Sequence, residues 1–148
     1  MPTYTVTVPE GRLSAEQKQR IAAVVTAAHC EVAVAPKYFA QVIFNEVKHG
    51  NYFLGGAALH GDHIFVHGQI RAGRSLETKH SLIIRLLYDV AEAAGMPRSH
   101  TWVYIIDVPS AQMAEFGRIL PEPGKESAWA EALPESERTR MQAIGLTA

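Results

Sequence analysis

A weak internal repeat constrains this chain more than any other feature. The segments Val42-x-Phe44-x-Glu46-Val47 and Val103-x-Ile105-x-Asp107-Val108 match at a shift of 61 residues, and Gly11-Arg12 matches Gly73-Arg74 at a shift of 62. Lys18 and Lys79 also correspond. Each half reads as strand, helix, strand, and a parallel strand pair joined through a helix crosses over in the right-handed sense. Two such units can share one sheet.

The element signals agree with this. Residues 3–8 alternate as a strand, and Pro9-Glu10-Gly11 is a turn. Ser14 with Gln17 forms a capping box for a helix whose buried face is Ile21, Val24, Val25, Ala28 and Val32, ended by Pro36. Residues 39–47 (FAQVIFNEV) predict the second strand, with a short strand at 52–54. In the second half, residues 63–70 predict a strand and Arg71-Ala72-Gly73-Arg74 a turn. Ser75 caps a helix that buries Leu82, Ile83, Leu86, Leu87, Val90 and Ala94 and ends at Gly95, and residues 101–108 predict the last strand. Beyond Pro109 the sequence predicts a short helical piece at 111–116, a Pro/Gly-rich crossing and a polar helix near 135–143.

The expected fold class is α/β: two β-α-β units in a four-stranded mixed sheet with both helices on one face. It forms one domain, divided into 1–61, 62–121 and a C-terminal tail and helix at 122–148. Its other face needs cover that the remaining helices are too few to give, which predicts an oligomer.

Composition narrows the function class. With 47% hydrophobic and 20% charged residues, the 148-residue chain is an ordinary globule, and a net charge of −1 gives no footprint for nucleic acid. Cys30 is the only cysteine, which rules out an internal disulfide and fits a reducing cytoplasm. No signal region and no apolar run of about 20 residues points to a membrane.

Several residues could carry chemistry. Proline after Met1 permits removal of the initiator, leaving Pro2 as a secondary amine; an α-amino group titrates at about 7.7–8.0, where general acid–base catalysis works. The alternative is that Pro2 only protects the terminus. Arg71 and Arg74 flank a glycine turn before a capped helix, either as a carboxylate site or as solvated surface arginines. His29 shares the buried face of Ile21 and Val25, as a satisfied core residue or as a donor into a cavity. Tyr104 lies in the last strand, where ordinary packing also accounts for it. Glu115 is either a partly desolvated carboxylate that can act as a base towards water or a helix residue paired with Arg118 three positions on. His63 and His67, with His60 and Asp62 nearby, raise a metal site, but neither a second ligand cluster nor an HExxH or CxxC pattern accompanies them.

Together these pieces resemble the tautomerase superfamily, the amino-terminal-proline group, and within it the cis-3-chloroacrylic acid dehalogenase subgroup. The resemblance rests on Met1-Pro2, Ala27-Ala28-His29, Gln41-Val42-Ile43-Phe44, Asn51-Tyr52-Phe53-Leu54-Gly55-Gly56, Ile64-Phe65-Val66-His67-Gly68, Arg71-x-Gly73-Arg74, Trp102-Val103-Tyr104 and Glu115-Phe116-Gly117-Arg118-x-Leu120-Pro121-x-Pro123-Gly124. It implies a cofactor-independent, cytoplasmic homotrimer acting on a small carboxylate, with no nucleic acid or membrane partner and no metal. Under it Pro2 protonates the carbon next to the carboxylate, Arg71 and Arg74 hold that carboxylate with His29 assisting, and Glu115, aided by Tyr104, activates water. Hydration of a cis-3-haloacrylate or an acetylenic acid would then give malonate semialdehyde. Phe116 stands where that subgroup has tyrosine, and 35–38 with 44–47 look more like homologues that hydrate acetylenic acids or tautomerise enols. The resemblance therefore also implies a keto–enol tautomerase of phenylenolpyruvate-like substrates, with Pro2 as a neutral base, or a non-catalytic trimeric binding protein.

Overall fold

In the computed structural model, residues 2–33, 38 and 40–144 are described. Along the chain run strand β1 (Thr3–Pro9), helix α1 (Ala15–Ala33), β2 (Gln41–Val47), β3 (Phe53–Leu54), β4 (Ala57–Ala58), β5 (Ile64–Arg71), α2 (Leu76–Ala94), β6 (Thr101–Val108), β7 (Ala114–Glu115), β8 (Arg118–Ile119), α3 (Glu126–Glu131) and α4 (Glu135–Ala143). The main sheet has the order β2-β1-β5-β6; β1 and β2 are parallel, β5 and β6 are parallel, and β1 meets β5 antiparallel. This is the expected pair of β-α-β units. Pro36 and Phe39, assigned from the sequence to a helix end and a strand start, lie outside the described residues.

The helices begin and end where their caps dictate. Ser14 Oγ accepts from Gln17 N at 3.1 Å while Gln17 Oε1 accepts from Ser14 N at 2.9 Å, the reciprocal pair of a capping box. Gln17 Nε2 also donates to Ala94 O at 2.8 Å, which ties the start of α1 to the end of α2. Ser75 caps α2 through Thr78 N at 3.1 Å. Gly95 ends it at φ 63°, and Met96 N donates back to Ala91 O at 2.9 Å.

The repeat is written into the ion pairs. Lys18 Nζ meets Glu46 at 2.9 Å and Lys79 Nζ meets Asp107 at 2.7 Å, each joining a helix to the end of its own unit's second strand. The helix-entry arginines, by contrast, have diverged. Arg12 is held by both carboxylate oxygens of Asp62, and Arg74 is not.

One face of the sheet carries the core: Tyr4, Val6, Val8, Ile64, Val66 and Ile70 are buried against Ile21, Val25 and Ala28 of α1 and Leu82, Leu86 and Val90 of α2. The other face is open, with Tyr104 54%, Ile106 48%, Ile43 46% and Trp102 41% exposed.

The segment after β6 departs from expectation. Instead of a helical piece at 111–116, Ser110–Gln112 makes one tight turn and β7 and β8 form a hairpin. Phe116 at φ 50° and Gly117 at φ 75° are its two turn residues, the conformation a two-residue hairpin requires. Glu115 and Arg118 are therefore directly cross-strand rather than one helical turn apart. This hairpin packs with α3 and α4 around a second small core of Leu120, Leu133 and Met141. Among the described residues no helix is long and apolar enough to cross a membrane.

Candidate active site

Alternation along β1 turns Pro2 and Tyr4 towards the helices, and both are buried. Thr3 opposes Gln69, so the antiparallel register brings the start of β1 to the end of β5, where Arg71 opens the turn to α2. The Pro2 carbonyl accepts from Gln41 N at 3.0 Å, which anchors the start of β1 to β2 as well.

Tyr4 defines the floor of this region. Its hydroxyl lies 2.7 Å from His29 Nδ1, and its ring crosses Gly68, where an added Cβ would come within 2.6 Å of Tyr4 Cε1 and 2.7 Å of Ile105 Cδ1. The glycine in the middle of β5 is thus a socket for the tyrosine ring. Burial pushes the Tyr4 phenol above its ordinary range, so it stays protonated. Burial, then the nearby Arg74 charge, push His29 down to about 3, so its ring is neutral. Among the described residues the Tyr4 hydroxyl has no second hydrogen-bond partner, so we assign it as donor to Nδ1. The proton of the neutral imidazole is then on Nε2.

That assignment exposes an unmet demand. Among the described residues only two buried side-chain nitrogens lack a partner, His29 Nε2 and Arg74 Nε. Both are N–H donors, and buried donors in folded proteins are rarely left unpaired. Arg74 Nη1 donates to Arg71 O at 2.7 Å, while burial and the adjacent Arg71 charge pull its pKa down. Arg71 is 13% exposed; it donates through Nη1 to Pro121 O at 3.2 Å and is ion-paired through Nη2 with Glu126. Burial pushes Glu126 up, but that guanidinium prevails and holds it below the usual carboxylate range.

Pro2, His29, Arg71 and Arg74 therefore belong to one end of the sheet; Pro2 and His29 lie on its helix side, whereas Arg71 alternates with His67 and Gln69 away from the buried Ile70 and meets the C-terminal segment. Glu115 lies half-buried on β7, in the wall of a neighbouring cleft of about 1010 Å³ that Thr3, Gln41, Gln69 and Phe116 also line. The cleft reaches β1 one residue from Pro2. Tyr104 is not gathered with the others. It stands on the open face of the sheet, against Phe65 at 5.0 Å, on the side opposite His29.

The histidines considered for a metal are used otherwise. His63 is packed edge-on between Tyr52 and Trp102, at 5.5 and 5.0 Å, and His67 stacks on Phe65. Among the described residues no group of three His, Cys, Asp or Glu side chains is placed to hold a metal ion.

Sequence reasoning missed Tyr4, Gly68 and Glu126. Tyr4 left a signal, since it alternates inward with Val6 and Val8 and a buried phenol needs a partner. Glu126, in a polar stretch beyond a Pro/Gly crossing, left none.

Comparison with known proteins agrees with this fold. Residues 1–133 match the family model described as "Putative oxalocrotonate tautomerase enzyme". The chain is similar to N1, a member of the cis-3-chloroacrylic acid dehalogenase family, with a TM-score of 0.91 and 36% identity over 96% of this chain and 99% of that one. It is similar to Pt0534, solved after inactivation by 2-oxo-3-pentynoate, with a TM-score of 0.73 and 28% identity over 80% and 94% of the two chains. F6 fused 4-OT, an asymmetric trimer, matches with a TM-score of 0.72 and 26% identity over 79% and 94%. No curated protein sequence matches the chain. Its paired β-α-β units, the buried proline at the start of β1 and these matches place the chain in the tautomerase superfamily, with the cis-3-chloroacrylic acid dehalogenase-like proteins.

Proposed function

We propose that this protein adds water to a small unsaturated monocarboxylate, a cis-3-haloacrylate or an acetylenic acid, without a cofactor. The two unpaired buried donors, His29 Nε2 and Arg74 Nε, carry this reading, because one carboxylate would satisfy both. With the carboxylate held there and Arg71 alongside, electron density in a conjugated double bond is drawn towards the carboxylate. Once Met1 is removed, Pro2 gives a proton to the carbon next to the carboxylate. Glu115 takes a proton from water as its oxygen bonds to the next carbon. A 3-chloro substrate then yields a chlorohydrin, which loses hydrogen chloride to become malonate semialdehyde.

Since Tyr104 faces away from His29 within its own chain, it assists Glu115 from a neighbouring copy. A trimer built on the open sheet face would supply that copy, and F6 fused 4-OT is itself a trimer.

A second reading has its own support. The matched family is described by a tautomerase, and Pt0534 is inactivated by a 2-oxo acetylenic acid. Here Pro2 acts as a neutral base on the enol of a 2-oxo acid such as phenylenolpyruvate. One variant separates the readings: Glu115→Gln abolishes hydration of propiolate and cis-3-chloroacrylate but spares enol tautomerisation. Equal loss of both activities contradicts the role given to Glu115. A ¹⁵N titration of Pro2 placing its pKa well below neutrality would favour the tautomerase.

A further inference from the structure

The carboxylate cradle has an unequal charge arrangement. Arg71 is already matched, since its Nη2 is ion-paired with Glu126 and its Nη1 bonds Pro121 O at 3.2 Å. Arg74 makes no ion pair among the described residues, although the charges of Asp107 and, more weakly, Glu126 reach it. The nearby Asp107 is engaged by Lys79 at 2.7 Å.

The segment bearing Glu126 is fastened to this end of the sheet. Ser110 Oγ donates to Glu122 Oε1 at 2.7 Å, and a Cβ at Gly73 would lie 3.1 Å from Pro123 Cγ. Glu126 therefore stands as a fixed carboxylate beside Arg71.

We infer that Glu126 is a specificity-determining residue: by neutralising Arg71 it leaves the cradle one uncompensated positive charge, at Arg74, and so tunes it to substrates with a single carboxylate. This rests on the cradle proposed above. The first carboxylate takes Arg74 Nε and His29 Nε2. A second carboxylate on the same small molecule would meet Glu126 in place of an open guanidinium, and like charges at such range repel substantially where water is partly excluded.

The test is calorimetric titration of the full-length, Met1-free protein with acrylate and with maleate at about pH 7.5. Removing one charge from a half-buried site changes the affinity ratio by about tenfold. Glu126→Gln, which keeps size and hydrogen bonding, should shift the maleate-to-acrylate ratio towards maleate by that amount. Glu126→Asp, which keeps the charge, should retain the wild-type ratio. Arg71→Gln gives the reverse arm, weakening maleate more than acrylate because Glu126 is then uncompensated. If Glu126→Gln changes both affinities equally or neither, Glu126 only tethers its segment and the inference is overturned. Arg74→Ala separates this failure from a failure of the cradle, since it should abolish binding of both acids. Unchanged acrylate binding in Arg74→Ala would overturn the cradle itself.

Discussion

At the scale of single residues, the site depends on a tyrosine, a histidine and a glycine that fit one another. Tyr4→Phe removes the only partner of His29 Nδ1 among the described residues, and an unsatisfied buried acceptor costs about 1–3 kcal/mol. A urea midpoint shift of that size, with weaker carboxylate binding as the imidazole loses its fixed tautomer, is the expected outcome. Gly68→Ala drives a methyl into Tyr4 and Ile105 and costs about 1–3 kcal/mol by overpacking, read in the same titration. His29 also sets a pH dependence. Its folded pKa, about 3, lies below the ordinary value of about 6.5, so the unfolded chain binds more protons between them. The stability it contributes is complete above about pH 6.5 and falls at up to about 1.4 kcal/mol per pH unit as pH drops towards 3. Comparing the wild type with His29→Gln across that window isolates this slope; identical slopes would refute it. The position of His29 on a buried helical face was legible in its spacing from Ile21 and Val25. Its partner was not, because contact between residues 25 apart depends on tertiary packing.

At the scale of elements, the β-α-β units announced themselves through caps, periodicity and the repeat, while the β7–β8 hairpin did not. Ala-Gln-Met-Ala-Glu holds good helix formers, and local propensity favours a helix there. The outcome is decided by Gly117, which adopts φ 75° freely, and by Phe116, held at φ 50° with its ring edge-on to Trp129 at 6.4 Å. Because nothing lies within 4 Å of a Cβ built on Gly117, Gly117→Ala tests the backbone alone. It should cost about 1 kcal/mol through left-handed strain and, by loosening the hairpin that carries Glu115, reduce hydration more than enol tautomerisation. Parallel loss of both activities would uncouple the hairpin from the water-activating role.

At the scale of the molecule, the open sheet face is the main uncovered apolar surface. The prediction that two helices could cover only one face followed from counting elements, and the exposure of Ile43, Trp102, Tyr104 and Ile106 bears it out. A face this apolar calls for association. Ile106→Lys should shift the protein from an oligomer to smaller species by sedimentation, and lose hydration with it if Tyr104 serves a neighbouring site. A wild-type monomer would refute both.

The two helix-entry arginines give the duplicated architecture an electrical polarity. Arg12 is closed by Asp62, the residue at the junction of the two halves, whereas its counterpart Arg74 keeps a donor open. The two corresponding corners of the repeat thus differ: one latches the chain, and the other keeps a buried donor without a partner among the described residues. On the reading proposed above, a small anion meets two similar doorways in this pseudo-symmetric body, one of them already shut from inside.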